Sequence, residues 1–227
     1  MSSPGPSSLS AAERGADKGT ISISFVEEAL VALRARGIDA DALLEHAGIS
    51  PELPNAPQAR VASSHYAALW HSTVQAMDAE FFGMDSHRMR AGSFTLLCHS
   101  VIHCDTLGRA LRRALRFLRL VLDDFEGVLE REGEVARVVL LERCTEPRRA
   151  FAYGTFLIIL HGLACWLVGR RIPLDHAAFR CLEPAYSGEW RVLFSPELRF
   201  GQAGTEIVFP ADYLDMPNVQ NERTMKV

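Results

Sequence analysis

The chain has 227 residues, of which 48% are hydrophobic and 23% are charged, as in an ordinary globular protein. A chain of this length buries roughly 70% of its unfolded surface, so it can form a core without metals or disulfides. The formal net charge of −4 disfavours a protein that works mainly by coating nucleic acid or anionic membrane. Five cysteines without a CxxC spacing, and no secretory signal, predict a reducing, cytoplasmic setting.

The N-terminal part of the sequence predicts a tail followed by three helices. Residues 1–19 are rich in Ser, Gly, Pro and Ala, so we expect a disordered tail. Apolar residues at helical spacing predict one helix from Ile23 to Gly37, and Asp39 is placed to cap a second helix that ends at Gly48. After an extended, proline-rich connector over 50–59, a third, amphipathic helix follows the candidate caps Ser63 and Ser64.

The middle and C-terminal parts mix helices with strands. We predict helices at 93–104 and 107–119, a β-hairpin with strands near 121–131 and 134–143, a strand at 177–182, a short helix at 188–194 and a strand at 206–209. The second of these helices has one apolar face and a run of arginines elsewhere. Together the elements predict an α+β fold, with a helical N-terminal part packed on a small antiparallel sheet and a buried central helix.

The central helix is predicted from twenty uncharged residues, 150–169, which also meet the length criterion for a membrane span. An arginine pair flanks each end, so the basic residues indicate no membrane orientation. A helix that is apolar all round lies either in a core or in a membrane. Because the segment follows a strongly charged hairpin, we predict a buried core helix and keep the membrane span as the alternative.

The segment CHSVIHC is the main candidate for metal chemistry. His99 and His103 lie one turn apart on the predicted helix, a workable pair of metal ligands. The segment lacks the Glu of HExxH, and Cys98 and Cys104 lie about 240° apart around the helix, too far to share one coordination sphere. We therefore predict a half-buried helix with no metal ligand, and keep a metal- or haem-binding sensor as the alternative.

No other pattern predicts catalysis. The sequence contains no nucleophile elbow, phosphate-binding glycine loop or EF-hand loop, so we predict neither an enzyme nor a cofactor. Asp123 and Asp124 are adjacent in a predicted strand and would face opposite sides of the sheet, so we expect a solvated edge and a turn. His161, in the middle of the central helix, is either a hydrogen-bonded core residue or part of a ligand pocket.

The order of several segments resembles a known family. RGIDADALLEHAGI is followed by PQARVASSHYAALW, AEFFGM, HCDTLGRALRRALRFLRL and finally FSPELRFGQAGTEIVFPADYLDMP. This order resembles the arabinose-binding-like N-terminal regulatory domain of AraC/XylS-type bacterial transcription regulators, in particular the subgroup that includes ornithine-utilisation regulators. The resemblance extends over nearly the whole chain after the predicted tail.

The resemblance implies a domain over residues 20–221 that senses a small molecule of unknown identity, forms homodimers and controls a helix-turn-helix domain. In that family the DNA-binding domain follows the YLDMP-like segment, so we expect residues 222–227 to begin a linker to a domain absent from this chain. DNA binding would then occur only through that domain, and no membrane partner is expected.

A cavity between helix and sheet would suit a largely apolar ligand with a few polar anchors. Position and chemistry select seven candidate lining residues: Phe94, His99, His103, Phe117, Tyr153, His161 and Trp166.

Overall fold

Two hydrophobic clusters divide the protein into an N-terminal group and a sheet-based group. The structure is a computed structural model that describes residues 19–195 and 197–225. The N-terminal group contains a two-stranded antiparallel sheet and three helices: β1 (Thr20–Ser22), α1 (Ile23–Ala35), α2 (Ala40–His46), β2 (Arg60–Ala62) and α3 (Ser63–Met77). The predicted tail, 1–19, lies outside the described residues except for Gly19. Apolar side chains from all three helices fill this core.

The corner between α1 and α2 forms as the sequence predicts. The Asp39 carboxylate accepts the backbone N–H groups of Asp41 and Ala42 at 3.1 and 3.2 Å and so caps α2. Gly37 and Gly48 have φ angles of +68° and +73°, a conformation that favours glycine. Both helices therefore end where the glycines indicated.

Three local predictions in the N-terminal group are wrong. Neither Ser63 nor Ser64 caps α3, because the helix begins at Ser63 and its N-cap is the extended Ala62, which belongs to β2. The connector at 50–59 is not extended throughout, since Leu53–Asn55 forms a 3₁₀ turn. The strands β1 and β2 were missed, because three residues are too few to display an alternating pattern.

The second group is built on a five-stranded sheet with strand order β3–β4–β7–β5–β6. The elements are α4 (Ser93–Val101), α5 (Leu107–Val121), β3 (Phe125–Glu132), β4 (Val135–Glu142), α6 (Ala150–Val168), β5 (His176–Ala178), α7 (Ser187–Leu193), β6 (Leu198–Arg199), β7 (Thr205–Pro210) and a 3₁₀ helix at Ala211–Asp215. The α+β fold is therefore confirmed. The β5–β6 pair is parallel, so the sheet is mixed rather than wholly antiparallel.

The hairpin and the helices pack as their periodicities predict. Glu132 pairs with Val135 around a turn at Gly133, and alternate residues of β4, including Val138, face the core. Helices α5 and α6 lie on this inner face of the sheet, where Gly127 of β3 leaves room for Leu115 and Phe156. The predicted apolar face of α5 is confirmed by burial of Leu107, Leu111, Ala114, Leu115 and Leu118.

Helix α6 is the buried central helix. It is long and apolar enough to cross a membrane, but 72% of its most apolar stretch is buried inside the protein, as in a core helix. One strip of α6 is nevertheless open: Gly162 is exposed, and Ile158 and Cys165 are only partly buried. The sequence did not predict this open strip, because every residue in it is apolar or small.

Candidate functional site

The structure distributes the seven predicted lining residues over three helices. Their positions are Phe94, half-buried on α4; His99, exposed on α4; His103, exposed just beyond α4; Phe117, half-buried on α5; and Tyr153, His161 and Trp166 on α6. His161 lines the two cavities described below, and the other six line neither. Of the seven predicted residues, His161 therefore lies beside these cavities and the other six do not.

The geometry does not favour the metal or haem alternative. His99 and His103 are exposed, and the carboxylate nearest to His103 is that of Glu222, at 3.9 Å. Within residues 19–195 and 197–225, no three His, Cys, Asp or Glu side chains are grouped so that they could hold a metal. Cys98 is buried, which raises the pKa of its thiol to about 11 and keeps it protonated at neutral pH.

Tyr153 has a structural role. Its hydroxyl accepts the backbone N–H of Arg148 at 3.1 Å, and its ring packs edge-on against Phe125 at 5.6 Å. Burial raises the pKa of the phenol to about 12. Tyr153 thus holds the segment before α6 against the core.

His161 is held in one tautomer by its surroundings. The side chain is 7% exposed, and its Nε2 lies 2.9 Å from the carbonyl oxygen of Ile172. A carbonyl only accepts hydrogen bonds, so Nε2 carries the hydrogen and Nδ1 is left as an acceptor. In the described part of the chain, Nδ1 has no hydrogen-bond partner.

The neighbours of His161 complete a small polar cluster, which we call the His161 cluster: His161, Cys165 and Arg171. The Cys165 Sγ lies 3.5 Å from His161 Nε2 and accepts the backbone N–H of Ile172 at 3.3 Å. Burial lowers the pKa of His161, and the positive charge of Arg171 lowers it further. Burial also raises the pKa of Cys165, so the imidazole and the thiol are both neutral near pH 7.

An interior cavity lies on one side of His161, between the helices and the sheet. Its volume is about 10 Å³, which is room for about one water molecule. The other lining residues are apolar and come from α5, α6, β4, β7 and the loop after α6: Leu111, Val138, Leu160, Ala164, Ile172, Ile207 and Phe209. The cavity that the sequence suggested between helix and sheet is therefore too small for an organic ligand in this conformation.

A larger groove lies on the other side of His161, along the open strip of α6. We call it the outer groove; its volume is about 300 Å³, the lower end of the range for small-molecule pockets. It is lined by Ile158, His161, Gly162, Cys165, Arg171, Leu193 and Phe194. A Cβ atom added at Gly162 would meet no atom of the described residues within 4 Å, so the glycine opens into this space.

Arg171 forms one end of the outer groove. Its Nη2 donates to the carbonyl oxygens of Val192 and Leu193, each at 3.0 Å, and to that of Phe194 at 3.3 Å. These contacts satisfy carbonyls at the C-terminal end of α7. Among the described residues, no carboxylate lies within 4 Å of the guanidinium, so its charge is not neutralised by an ion pair. Sequence reasoning missed Arg171, because one arginine of a pair after a helix has no distinctive pattern.

Residues 216–220, the C-terminal segment, bind the ends of two helices. Asn218 Nδ2 donates to the carbonyl oxygens of Val101 and Ile102 at 3.3 and 2.8 Å, at the end of α4. The backbone N–H of Val219 donates to Leu167 at 2.9 Å, and the Gln220 side chain donates to Trp166, both in the last turn of α6. The segment is therefore attached to the helix that carries the His161 cluster.

A second polar cluster, the Asp124 cluster, contains the buried Asp85 and Asp124 together with the exposed Ser86 and the partly buried Arg148. Asp124 accepts the N–H and the hydroxyl of Ser86, each at 2.7 Å, and pairs with Arg148 at 2.6 Å. Asp85 accepts the backbone N–H groups of Asp123 and Asp124, both at 2.9 Å. The expectation of a solvated edge at Asp123–Asp124 is therefore wrong for Asp124, which is buried and precedes β3.

The ionisation of the Asp124 cluster follows from its partners. Burial alone would raise the pKa of Asp124, but the hydrogen bonds from Ser86 and Arg148 outweigh it and leave the pKa below its ordinary value. For Asp85, burial outweighs the lowering effect of its backbone donors, so its pKa is raised. The cluster fastens the 85–87 loop to the start of β3, which is a structural role.

Comparison with known proteins places the chain in a family. Residues 37–218 match the family described as the arabinose-binding domain of AraC transcription regulators, N-terminal. The ornithine utilization regulator of Pseudomonas aeruginosa is 22% identical over 199 residues, which are 87% of this chain and 59% of that protein. The crystal structure of the transcriptional regulator CdpR from Pseudomonas aeruginosa aligns with a TM-score of 0.42 and 15% identity, over 86% of this chain and 57% of that one.

The chain thus spans less than two thirds of the length of each of these two relatives. The family match covers most of the described residues, including α6 and every residue of the outer groove. The resemblance read from the order of the sequence motifs is confirmed. The chain belongs to the family of arabinose-binding N-terminal domains of AraC transcription regulators.

Proposed function

We propose that this chain is the ligand-sensing and dimerisation part of a bacterial AraC-family regulator, acting in the cytoplasm on DNA through a separate helix-turn-helix domain. The observation that carries the proposal is the outer groove, which lies within the matched region and opens onto a buried histidine with an unused acceptor. Ligand sites of this kind are concave, mostly apolar and furnished with a few polar groups.

The position of the groove suits a sensor because helix α6 connects it to the C-terminal segment. Cys165 lines the groove, and the next two carbonyls along α6, those of Trp166 and Leu167, accept hydrogen bonds from Gln220 and Val219. A ligand that shifts the last turn of α6 would change these contacts. The groove and the C-terminal segment would then share one two-state element, as allosteric coupling requires.

For the homodimer we propose the surface formed by α4 and α5. Leu96 on α4 and Leu120 on α5 are 59% and 74% exposed, and the outer side of α5 carries a row of arginines. The strip of small residues on α6 and its cap, formed by Gly154, Gly162, Cys165 and Gly169, is a weaker candidate. Trp190 covers its start at Gly154, and Val219 covers its end at Gly169.

Native mass spectrometry of the purified chain, mixed with fractions of a bacterial small-molecule extract, tests the proposal. The expected result is a dimer of twice 25.1 kDa and a stoichiometric organic adduct from at least one fraction. A monomer that takes up no organic molecule from any fraction would overturn it. Stoichiometric metal or haem in place of an organic adduct would support the alternative sensor.

A further inference from the structure

Resting on the proposed function, we infer that the outer groove binds a small organic carboxylate, with its apolar body along Ile158 and Leu193 and its carboxylate paired with Arg171. This assignment names the class of effector. It depends on the charge of the groove, its acceptor and its shape.

The charge of the groove is positive. Arg171 is the charged side chain among the groove residues, and no described carboxylate lies within 4 Å of it. Arg171 is exposed; its Nη2 donates to three backbone carbonyls, which orients the guanidinium, and Nε and Nη1 have no partner in the described chain. An oriented guanidinium with unused donors matches a carboxylate, and the same charge disfavours a cationic ligand.

His161, which lines the groove, bears on the orientation of the ligand. His161 Nδ1 is an unpartnered acceptor on a side chain that is 7% exposed. A carboxylate oxygen placed against it would set acceptor against acceptor, whereas a hydroxyl or amide N–H would be bound. The carboxylate therefore belongs at the Arg171 end, and any donor group of the ligand belongs near His161.

The shape of the groove limits the ligand to a small molecule with an apolar body. The volume of about 300 Å³ excludes large ligands, and Ile158, Leu193 and Phe194 supply apolar walls. Gly162 keeps the floor open, because a Cβ atom there would meet no atom within 4 Å. A side chain at this position would therefore extend into the space proposed for the ligand.

Isothermal titration calorimetry with matched acid and amide pairs tests the assignment. The probes are phenylacetate, 3-phenylpropionate and octanoate, each compared with its primary amide, which keeps the shape and removes the charge. We expect at least one acid to bind, and its amide to bind at least about tenfold more weakly, because the charge-assisted hydrogen bond to Arg171 is lost. If no acid binds, or if the amides bind as tightly as the acids, the assignment is wrong.

Three variants place the binding in the groove. Gly162→Phe fills it and should abolish binding of the acid. Gly188→Phe is the matched control, since Gly188 is also a helical glycine with no atom within 4 Å of an added Cβ but does not line the groove. Arg171→Gln should reduce binding of the acid at least about tenfold and leave binding of the amide unchanged.

The outcomes distinguish a failure of the carboxylate assignment from a failure of the proposed sensing function. If the native mass spectra show an uncharged or cationic adduct that Gly162→Phe removes, the carboxylate assignment falls and the sensing function stands. If neither the acids nor any extract fraction bind, both fall. An acid that binds Gly162→Phe as tightly as it binds the unaltered chain contradicts the groove as its site.

Discussion

The Asp124 cluster and the His161 cluster each centre on buried titratable residues, but they differ in the partners that the chain provides for those residues. Each carboxylate of the Asp124 cluster accepts several donors from its neighbours, and Arg148 Nε is its unmatched atom. In the His161 cluster, no described residue bonds to Nδ1 and no described carboxylate lies within 4 Å of Arg171. Unmatched polar groups beside an open groove point to a ligand, whereas matched carboxylates point to a structural fastening.

The largest expected loss of stability comes from a charge buried in the apolar core, where neither cluster provides a partner for it. Leu111 is 1% exposed and lines the apolar cavity beside His161. We expect Leu111→Asp to cost more than about 4 kcal/mol and to abolish the cooperative thermal transition, because the new carboxylate would be buried without a partner. Circular dichroism melting checks this. Arg112→Glu, on the exposed side of the same helix, is the control and should melt normally.

Removing one member of the Asp124 cluster should have the next largest effect. Asp124→Ala would leave Arg148 and the donors of Ser86 without their acceptor, so we expect a loss of about 3 kcal/mol in the free energy of unfolding. Asp123→Ala, at the adjacent residue, is the matched control. Asp123 is exposed and should change stability by less than about 0.5 kcal/mol. Equal losses in urea denaturation would contradict the structural role of the Asp124 cluster.

The His161 cluster should instead be visible in the pH dependence of stability. Burial holds the folded pKa of His161 below the value near 6.5 expected in the unfolded chain. Below about pH 6.5 the unfolded state binds a proton at His161, whereas the folded state does not until the pH reaches its lower folded pKa. The contribution of neutral His161 to the free energy of unfolding is therefore complete above about pH 6.5 and is lost as the pH falls. The slope is at most about 1.4 kcal/mol per pH unit.

His161→Gln isolates this contribution, since an amide N–H can still donate to Ile172 but does not titrate. Urea denaturation between about pH 7.5 and about pH 5.5 should show a smaller loss of stability on acidification in the variant than in the unaltered chain. Parallel pH profiles for the two proteins would show that His161 is not buried in its neutral form.

The smallest expected changes in stability come from alanine substitutions at two glycines of α6. Gly162 opens into the groove, so Gly162→Ala should stabilise the protein by about 0.5 to 1 kcal/mol through its higher helix propensity. Gly154 lies against the indole of Trp190, so Gly154→Ala should destabilise it by about 1 kcal/mol or more. Melting temperatures that move in the same direction would contradict the difference between the open and the covered parts of this helix.

Much of this fold could be predicted from the sequence, because long amphipathic segments and the hairpin carry clear periodicities. The capped corner at Asp39 and the buried face of α5 follow from residues close together in the chain. The strands β1, β2 and β6 could not be predicted, since two or three residues contain no pattern and form only against partners supplied by the fold.

The candidate site was less predictable. His161 stood out because a histidine in an apolar helix needs a partner. Arg171 and Phe194 were missed, because only the fold brings the end of α7 beside α6. Asp124 was misread for the same reason, since its partners Ser86 and Arg148 lie far from it along the chain. Local sequence patterns do not contain these contacts.

The central claim is that a small molecule occupies the outer groove beside His161. Native mass spectrometry of the unaltered chain, Gly162→Phe and Gly188→Phe, each mixed with the same extract fractions, tests it most directly. We expect a stoichiometric organic adduct on the unaltered chain and on Gly188→Phe, and none on Gly162→Phe. An adduct that remains on Gly162→Phe, or that appears on none of the three, would contradict it.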